Sequence, residues 1–320
     1  MGGYIDSDMN FIPAWDGLWE PHPGMLDFEE KWNAFHDPNG RLMVCAHRGD
    51  NNIYYPENSL EGCLSAIAAG ADMLEVDVHT TKDGYLILMH DDTVTRTTNA
   101  AALRRAGETN LPDSDEITHW TMAQIQRLRL VMPDGTLTQY GVPTLRSVIR
   151  ASVNRVFLTL DKWWCFRWED VYAIIREENA FRTVLIPYGY DLNLVLDIWE
   201  KAYRDTGIRM PFFASVVIGN GVWSIEKLFS VSEFLQKNEM APVLRGGYHN
   251  LEDIPRLEPV ITQLQKTHRI YAESLGPHRD NPVYWQSMLD MGYSIFMGNR
   301  LYDLLKLVRE RHFAAAQEEM

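Results

Sequence analysis

Little in this 320-residue chain points toward a membrane, a disulfide framework or a polyanion. Its three cysteines, Cys45, Cys63 and Cys165, show no CxxC or other metal-type spacing; that argues against a disulfide scaffold and reads as reduced thiols. No apolar run approaches the roughly 20 residues of a membrane-spanning helix, so stable membrane anchoring is not expected. The first 30 residues carry Asp6, Asp8, Asp16 and Glu20, with neither the basic start nor the apolar stretch of a leader. A reducing cytoplasm is the expected setting, although a leader removed beforehand would leave no trace. Basic residues are outnumbered too: 30 Lys and Arg against 44 Asp and Glu give a net charge of −14 at pH 7. Nucleic acid is therefore not an expected partner, because its binding needs clustered cations to replace phosphate counterions. A small phosphodiester remains compatible with this charge, since a local cation outweighs a distant net charge.

What is present is an ordinary globular composition, 46% hydrophobic and 23% charged, enough for an ample core. Residues 1–40 are rich in Pro, Gly and Trp and read as an irregular lead-in with a short amphipathic helix around Phe28–Phe35. From residue 41 to 320, short apolar runs alternate with helical stretches. The strand candidates are Leu42–His47, Met73–His79, Tyr85–His90, Val156–Asp161, Thr183–Pro187, Pro211–Ile218, Pro242–Arg245, His268–Glu273 and Ser294–Met297. Helices are expected at 59–69, 121–130, 144–153, 168–179, 191–206, 223–238, 252–266, 281–291 and 301–312. This alternation predicts parallel βαβ units, in a closed TIM (β/α)8 barrel or a doubly wound sheet. The barrel is favoured. No GxGxxG follows the first strand, and Cys45-Ala46-His47-Arg48-Gly49 places ionisable groups where a dinucleotide-binding fold has glycines. One strand candidate is then surplus to the eight of a barrel. Lys82-Asp83-Gly84 is a turn signal that would fold Tyr85–His90 back as a hairpin, and Pro242–Arg245 is the other doubtful member. Residues 100–140, with helical character only at 121–130, read as a small insertion over the barrel mouth in a single domain.

Glu75 and Asp77 stand two apart in Met73-Leu74-Glu75-Val76-Asp77-Val78, so both carboxylates share one face of a strand and the aliphatic residues the other. Two neighbouring acids do not both ionise in a dry interior without a cation between them, and hard ions such as Mg2+ or Ca2+ prefer such oxygen ligands. The competing reading is an edge strand with solvated acids. His47 closes the first predicted strand and His90 the third, at the strand ends where barrel enzymes keep their chemistry. Two histidines that titrate near neutrality can act as proton acceptor and donor about a phosphorus centre. Arg48 adds a planar guanidinium suited to paired phosphate oxygens.

Taken together, Ala46-His47-Arg48-Gly49, Pro56-Glu57-Asn58-Ser59, Glu75-Val76-Asp77-Val78, Thr81-Lys82-Asp83-Gly84 and His90-Asp91-Asp92-Thr93, running on to Arg96-Thr97-Thr98-Asn99, resemble the glycerophosphodiester phosphodiesterases. Order and spacing agree over residues 46–99, with weaker echoes at Val142-Pro143-Thr144-Leu145 and in the Gly292–Arg300 segment. The resemblance implies a TIM barrel, a Mg2+ or Ca2+ ion on the strand acids, His47 and His90 as general acid and base, and hydrolysis of glycerophosphodiesters to sn-glycerol 3-phosphate and an alcohol. It carries over Arg48, Glu57 and Asn58 as phosphate- or substrate-binding residues; in the expected mechanism Lys162 shares the developing charge with Arg48. Alternatives are a sphingomyelinase D-like lipid phosphodiesterase and a catalytically silent barrel that binds phosphorylated headgroups. The sequence leaves the oligomeric state open.

The chain departs from the family after residue 150. The family's Glu-x-Lys strand end appears as Thr159-Leu160-Asp161-Lys162, and leucine cannot bind a cation. Alternation along Val156–Asp161 turns Asp161 to the face opposite Leu158 and Leu160, which makes it the candidate third metal ligand. A loop contact to Lys162 or a helix-end role for Asp161 are the other readings, and Glu273 is the substitute acid if Asp161 turns outward. The aromatic run Trp163-Trp164-Cys165-Phe166-Arg167-Trp168 is expected to pack beneath a loop rather than stack on a headgroup.

Overall fold

A computed structural model describes residues 3–5, 11–13, 27–51, 54–186, 192–215, 225–238, 243–245, 254–276 and 278–318. In chain order the strands are β1 Gly3–Ile5, β2 Phe11–Pro13, β3 Met43–His47, β4 Met73–Thr80, β5 Leu86–Leu88, β6 Phe157–Asp161, β7 Ala214–Ser215, β8 Val243–Arg245, β9 Arg269–Ser274 and β10 Ile295–Gly298. The helices are α1 Phe28–His36, α2 Leu60–Ala69, α3 Ala100–Arg105, α4 Met122–Ile125, α5 Leu145–Ser152, α6 Trp168–Glu177, α7 Leu192–Thr206, α8 Ile225–Lys237, α9 Ile254–Leu264, α10 Pro282–Met291 and α11 Leu301–Glu318. They fall into two compact units: residues 47–69 with 74–184, and residues 26–46 with 70–73 and 185–320.

In the first unit β4 is buried along almost its whole length, and β6 pairs with it. Leu158 continues the ladder through a parallel bridge to Val184. β5 runs antiparallel to β4, with Thr80 opposite Leu86, so the expected hairpin forms at Lys82-Asp83-Gly84. Gly84 takes φ +87° there, a left-handed backbone open to glycine at no steric cost. In the second unit β3, β10, β9, β8 and β7 form a parallel ladder in that order, and Ile186 bridges Phe212 in the same sense. The hairpin strand β5 is thus the surplus candidate, and Val243–Arg245 is a true ladder member. With β5 set aside, β3, β4, β6, the 184–186 bridges, β7, β8, β9 and β10 give eight strand positions among the described residues, the number a (β/α)8 barrel requires.

The second unit is pinned by Arg269, a fully buried guanidinium on β9 that donates to the carbonyls of Ala34, Arg41 and Ser294. Burial lowers its pKa to about 10, so it keeps its proton at neutral pH. α1 opens on a capping box in which Asp27 and Glu30 satisfy each other's backbone N–H groups.

Several expectations are corrected. The 121–130 helix is a single turn, α4, because Leu130 leaves helical geometry to bridge Thr98. Residues 100–140 hold more structure than expected: α3, a 3-10 turn at Ile117–His119, and the bridges Thr93 to Glu116 and Val131 to Leu137. A core of their own explains it, with Ala100, Ile117, Trp120, Ile125 and Leu128 packed beneath the β5 hairpin residues Ile87 and Met89. The lead-in contains one antiparallel pair, β1 with β2, so its description as irregular is incomplete. The remainder of residues 1–26 and the ends of three predicted strands (Pro187, 216–218 and Pro242) lie outside the described residues, as do the starts of the helices expected at 191, 223 and 252.

Candidate active site

Alternation along β4 buries Leu74, Val76 and Val78 on one face and carries Glu75, Asp77 and His79 on the other. Glu75 and Asp77 are 5% and 1% exposed. Asp161, at the end of β6, joins them, so that one carboxylate oxygen from each lies within 4.8 Å of the others. Burial is the main force raising the Glu75 carboxyl well above its ordinary range, with the charges of Asp77 and Asp161 adding to it. Burial raises Asp77 as well, opposed by the Arg48 guanidinium and the Asn58 amide. The described hydrogen bonds occupy Oε2 of Glu75, Oδ2 of Asp77 and Oδ1 of Asp161, which leaves the second oxygen of each for a cation. Three crowded, desolvated oxygen donors of one charge fit a hard divalent ion, which would relieve their repulsion.

The loops that aim these groups use left-handed backbone. Arg48, Asn58 and Lys162 have φ of 57°, 55° and 63°, three of the five described non-glycine residues with positive φ. Such conformations cost of order 1 kcal/mol or more and persist where surrounding contacts over-determine them. Those contacts are visible at each position. Arg48 N–H donates to the Glu75 carbonyl at 2.8 Å, and Asn58 N–H to the Arg48 carbonyl at 3.0 Å. Gly49 follows with φ +81°, where a Cβ would stand 2.9 Å from the Cys63 nitrogen, so only glycine lets this loop lie against α2.

His47, at the end of β3, is 8% exposed and its Nε2 lies 3.7 Å from Oε2 of Glu75. His90 is half-buried, and its Nδ1 meets Oδ1 of Asp91 at 2.8 Å. Asp91 is gripped by Arg96 at 2.7 and 2.8 Å, and Arg96 also grips Glu57 at 2.7 and 2.9 Å. Glu57 in turn takes a hydrogen bond from Arg48 at 3.1 Å, and the Arg48 Nε stands 3.1 Å from Asp77. A chain of alternating charge therefore runs from His90 through Asp91, Arg96, Glu57 and Arg48 to Asp77. The Arg96 hydrogen bonds hold Asp91 far below its ordinary value. Burial would raise Glu57, but Arg96 and Arg48 outweigh it and keep that carboxyl low as well.

Glu57 and Asn58, expected to contact the substrate, make their described hydrogen bonds to other site residues. Both oxygens of Glu57 are engaged by guanidinium groups, and a carboxylate repels phosphate. The Asn58 amide donates to Asp77 Oδ2 at 2.8 Å and accepts from the Asp77 N–H at 3.1 Å. Both residues hold other site groups in place. Lys162 Nζ stands 3.8 Å from Oδ1 of Asp92 and over the Trp164 ring at 5.5 Å. The aromatic run does not pack beneath a loop: none of residues 163–168 is buried, and Trp164 is 61% exposed. Sequence reasoning missed four residues. His79 was legible, because the two-residue alternation through Glu75 and Asp77 reaches it. Asp91 adjoins His90, and Arg96 entered only through the resemblance. Cys165 carried no spacing signal at all.

Residues 47–174 match the model of the glycerophosphoryl diester phosphodiesterase family. A glycerophosphodiester phosphodiesterase of Caldanaerobacter subterraneus subsp. tengcongensis is 49% identical over 119 residues, 37% of this chain and 43% of that protein. The chain spans less than half the length of the curated relatives it matches. A solved glycerophosphoryl diester phosphodiesterase from Parabacteroides distasonis superposes with TM-score 0.68 at 21% identity, over 89% of this chain and 93% of that one. An Oleispira antarctica phosphodiesterase, solved in complex with the product sn-glycerol-3-phosphate, gives TM-score 0.55 at 16% identity, over 83% and 96%. The fold is therefore the TIM barrel of these phosphodiesterases. Residues 47–174 are thus similar to the glycerophosphoryl diester phosphodiesterases, and the chain shares the fold of their solved members.

Proposed function

We propose that the chain hydrolyses glycerophosphodiesters to sn-glycerol 3-phosphate and an alcohol, using Mg2+ or Ca2+ held by Glu75, Asp77 and Asp161. One observation carries this reading: the segment that matches the family groups three carboxylates in a desolvated site and sets His47 and His90 beside it. When bound there, a divalent cation supplies Lewis-acid stabilisation to a non-bridging phosphoryl oxygen. The chain's own residues supply the proton transfers. Asp91, ionised and hydrogen-bonded to Nδ1 of His90, fixes the ring so that Nε2 is the working nitrogen. His47, against Glu75, is the second proton carrier; one ring deprotonates the nucleophile and the other protonates the leaving alkoxide. Arg48, held between Glu57 and Asp77, adds fixed positive charge to the site. The three free thiols fit a reducing compartment, and no helix among the described residues is long and apolar enough to cross a membrane.

The test is a panel of glycerophosphodiesters with chelated protein and with Mg2+ or Ca2+ restored, followed by phosphorus NMR. Cation-dependent release of sn-glycerol 3-phosphate is expected. No hydrolysis of any member with either ion would overturn the reading.

A further inference from the structure

A second set of ligand-type side chains is carried by the same segments that build the carboxylate site. His79 extends β4 two residues past Asp77, Cys165 follows Asp161 by four residues in the 3-10 turn Trp163–Cys165, and Asp92 comes directly after Asp91. The ligand atoms of His79, Asp92 and Cys165 all lie within 4.8 Å of one another.

The imidazole is the informative member. Its side chain is 5% exposed, and its Nε2 makes no hydrogen bond, although Oδ1 of Asp92 is 3.5 Å away. A buried ring nitrogen that makes no hydrogen bond and stands close to a carboxylate and a thiol has no use in the hydrolytic site described above.

We infer that His79, Asp92 and Cys165 form a second cation site, selective for a borderline transition-metal ion such as Zn2+, with three protein ligands and an open fourth position. The donor set decides the ion. A thiolate is a poor ligand for Mg2+ or Ca2+, whereas mixed nitrogen, oxygen and sulfur donors are those of zinc. Binding releases the Cys165 proton to solvent as the sulfur–metal bond forms. At metal–ligand distances of about 2.0–2.3 Å, tetrahedral ligand atoms stand roughly 3.5 Å apart, so the cluster must contract by about an ångström. Asp92, whose side chain is 77% exposed, is free to supply that movement. Lys162, 3.8 Å from Asp92, is the competing cation and must yield, which an ion pair this exposed does readily.

Cobalt titration of the metal-stripped full chain tests this without any reference to hydrolysis, so it stands or falls apart from the proposed activity. A near-ultraviolet sulfur-to-cobalt charge-transfer band, saturating at about one equivalent and bleached by Zn2+ but not by Mg2+, is expected. The band should vanish in Cys165→Ser, weaken at least about tenfold in affinity in Asp92→Asn, and persist in Glu75→Gln, whose site holds no sulfur. Circular dichroism confirms that each variant is folded. Absence of the band in the parent chain, or its survival in Cys165→Ser, where only Cys45 and Cys63 could supply the sulfur, would overturn the assignment.

Discussion

Glu75 and Asp77 lie in the desolvated interior of a strand, whereas Glu57 and Asp91 lie among guanidinium groups, and the two pairs of carboxyls are displaced in opposite directions. The first pair is held above its ordinary range chiefly by burial, while the hydrogen bonds and charge of Arg96 keep the second pair low. Residue type does not separate them, since each pair is one Glu and one Asp. The difference lies in what charge each pair is built to meet. The high pair is the one proposed to meet a cation brought from outside; the low pair already has its cations in the chain and contacts His90 and Arg48.

The largest effect expected from breaking this contrast is in the high pair. Glu75→Ala should remove divalent-cation binding in calorimetry and lower the hydrolytic rate by at least roughly 10³-fold, the scale of several kcal/mol of transition-state charge stabilisation. Unchanged Mg2+ and Ca2+ affinity would make the acids purely structural. His47→Ala and His90→Ala should each lower kcat by at least roughly 10²-fold while leaving cation affinity within a few fold. Either variant at full activity would remove that histidine from the reaction.

Disturbing the low pair should cost less. Asp91→Asn is expected to lower kcat by about 10- to 100-fold, as when a functional imidazole loses its carboxylate partner. Arg96→Lys keeps the charge but not the double fork to Glu57 and Asp91, so a smaller loss of kcat is expected. Unchanged kcat in both variants would remove the network from the reaction.

The smallest effects are in linkage. Carboxyls raised in the folded state hold protons that a cation displaces, so cation affinity should weaken as pH falls and binding should release protons. Calorimetry in buffers of different ionisation enthalpy checks this. In the cation-free chain the same groups bind protons more tightly folded than unfolded, so their contribution to stability falls as pH rises from the ordinary carboxylate range toward their raised values. Glu75→Gln should flatten that part of the urea-midpoint profile. Asp91 behaves with the opposite sign: its contribution is present above the ordinary range and is lost as pH falls below it.

Much of this was open to inspection in the linear chain. The period-two pattern of β4 set Glu75 and Asp77 on one face, the glycine turn marked the hairpin, and the alternation of β6 separated Asp161 from Leu158 and Leu160. Such features are local, governed by strand geometry and turn chemistry over a few residues. What only the tertiary structure decided is pairing across distance. That Asp161 reaches acids more than eighty residues earlier, that Arg96 ties Asp91 to Glu57, and that Asn58 is spent on Asp77 all depend on which strand ends and loops are neighbours in space. The same holds for the turn of Trp164 to solvent and the meeting of His79 with Asp92 and Cys165. Periodicity fixes the face on which a side chain stands, but only the packing of the strands determines the charge or lone pair it will meet there.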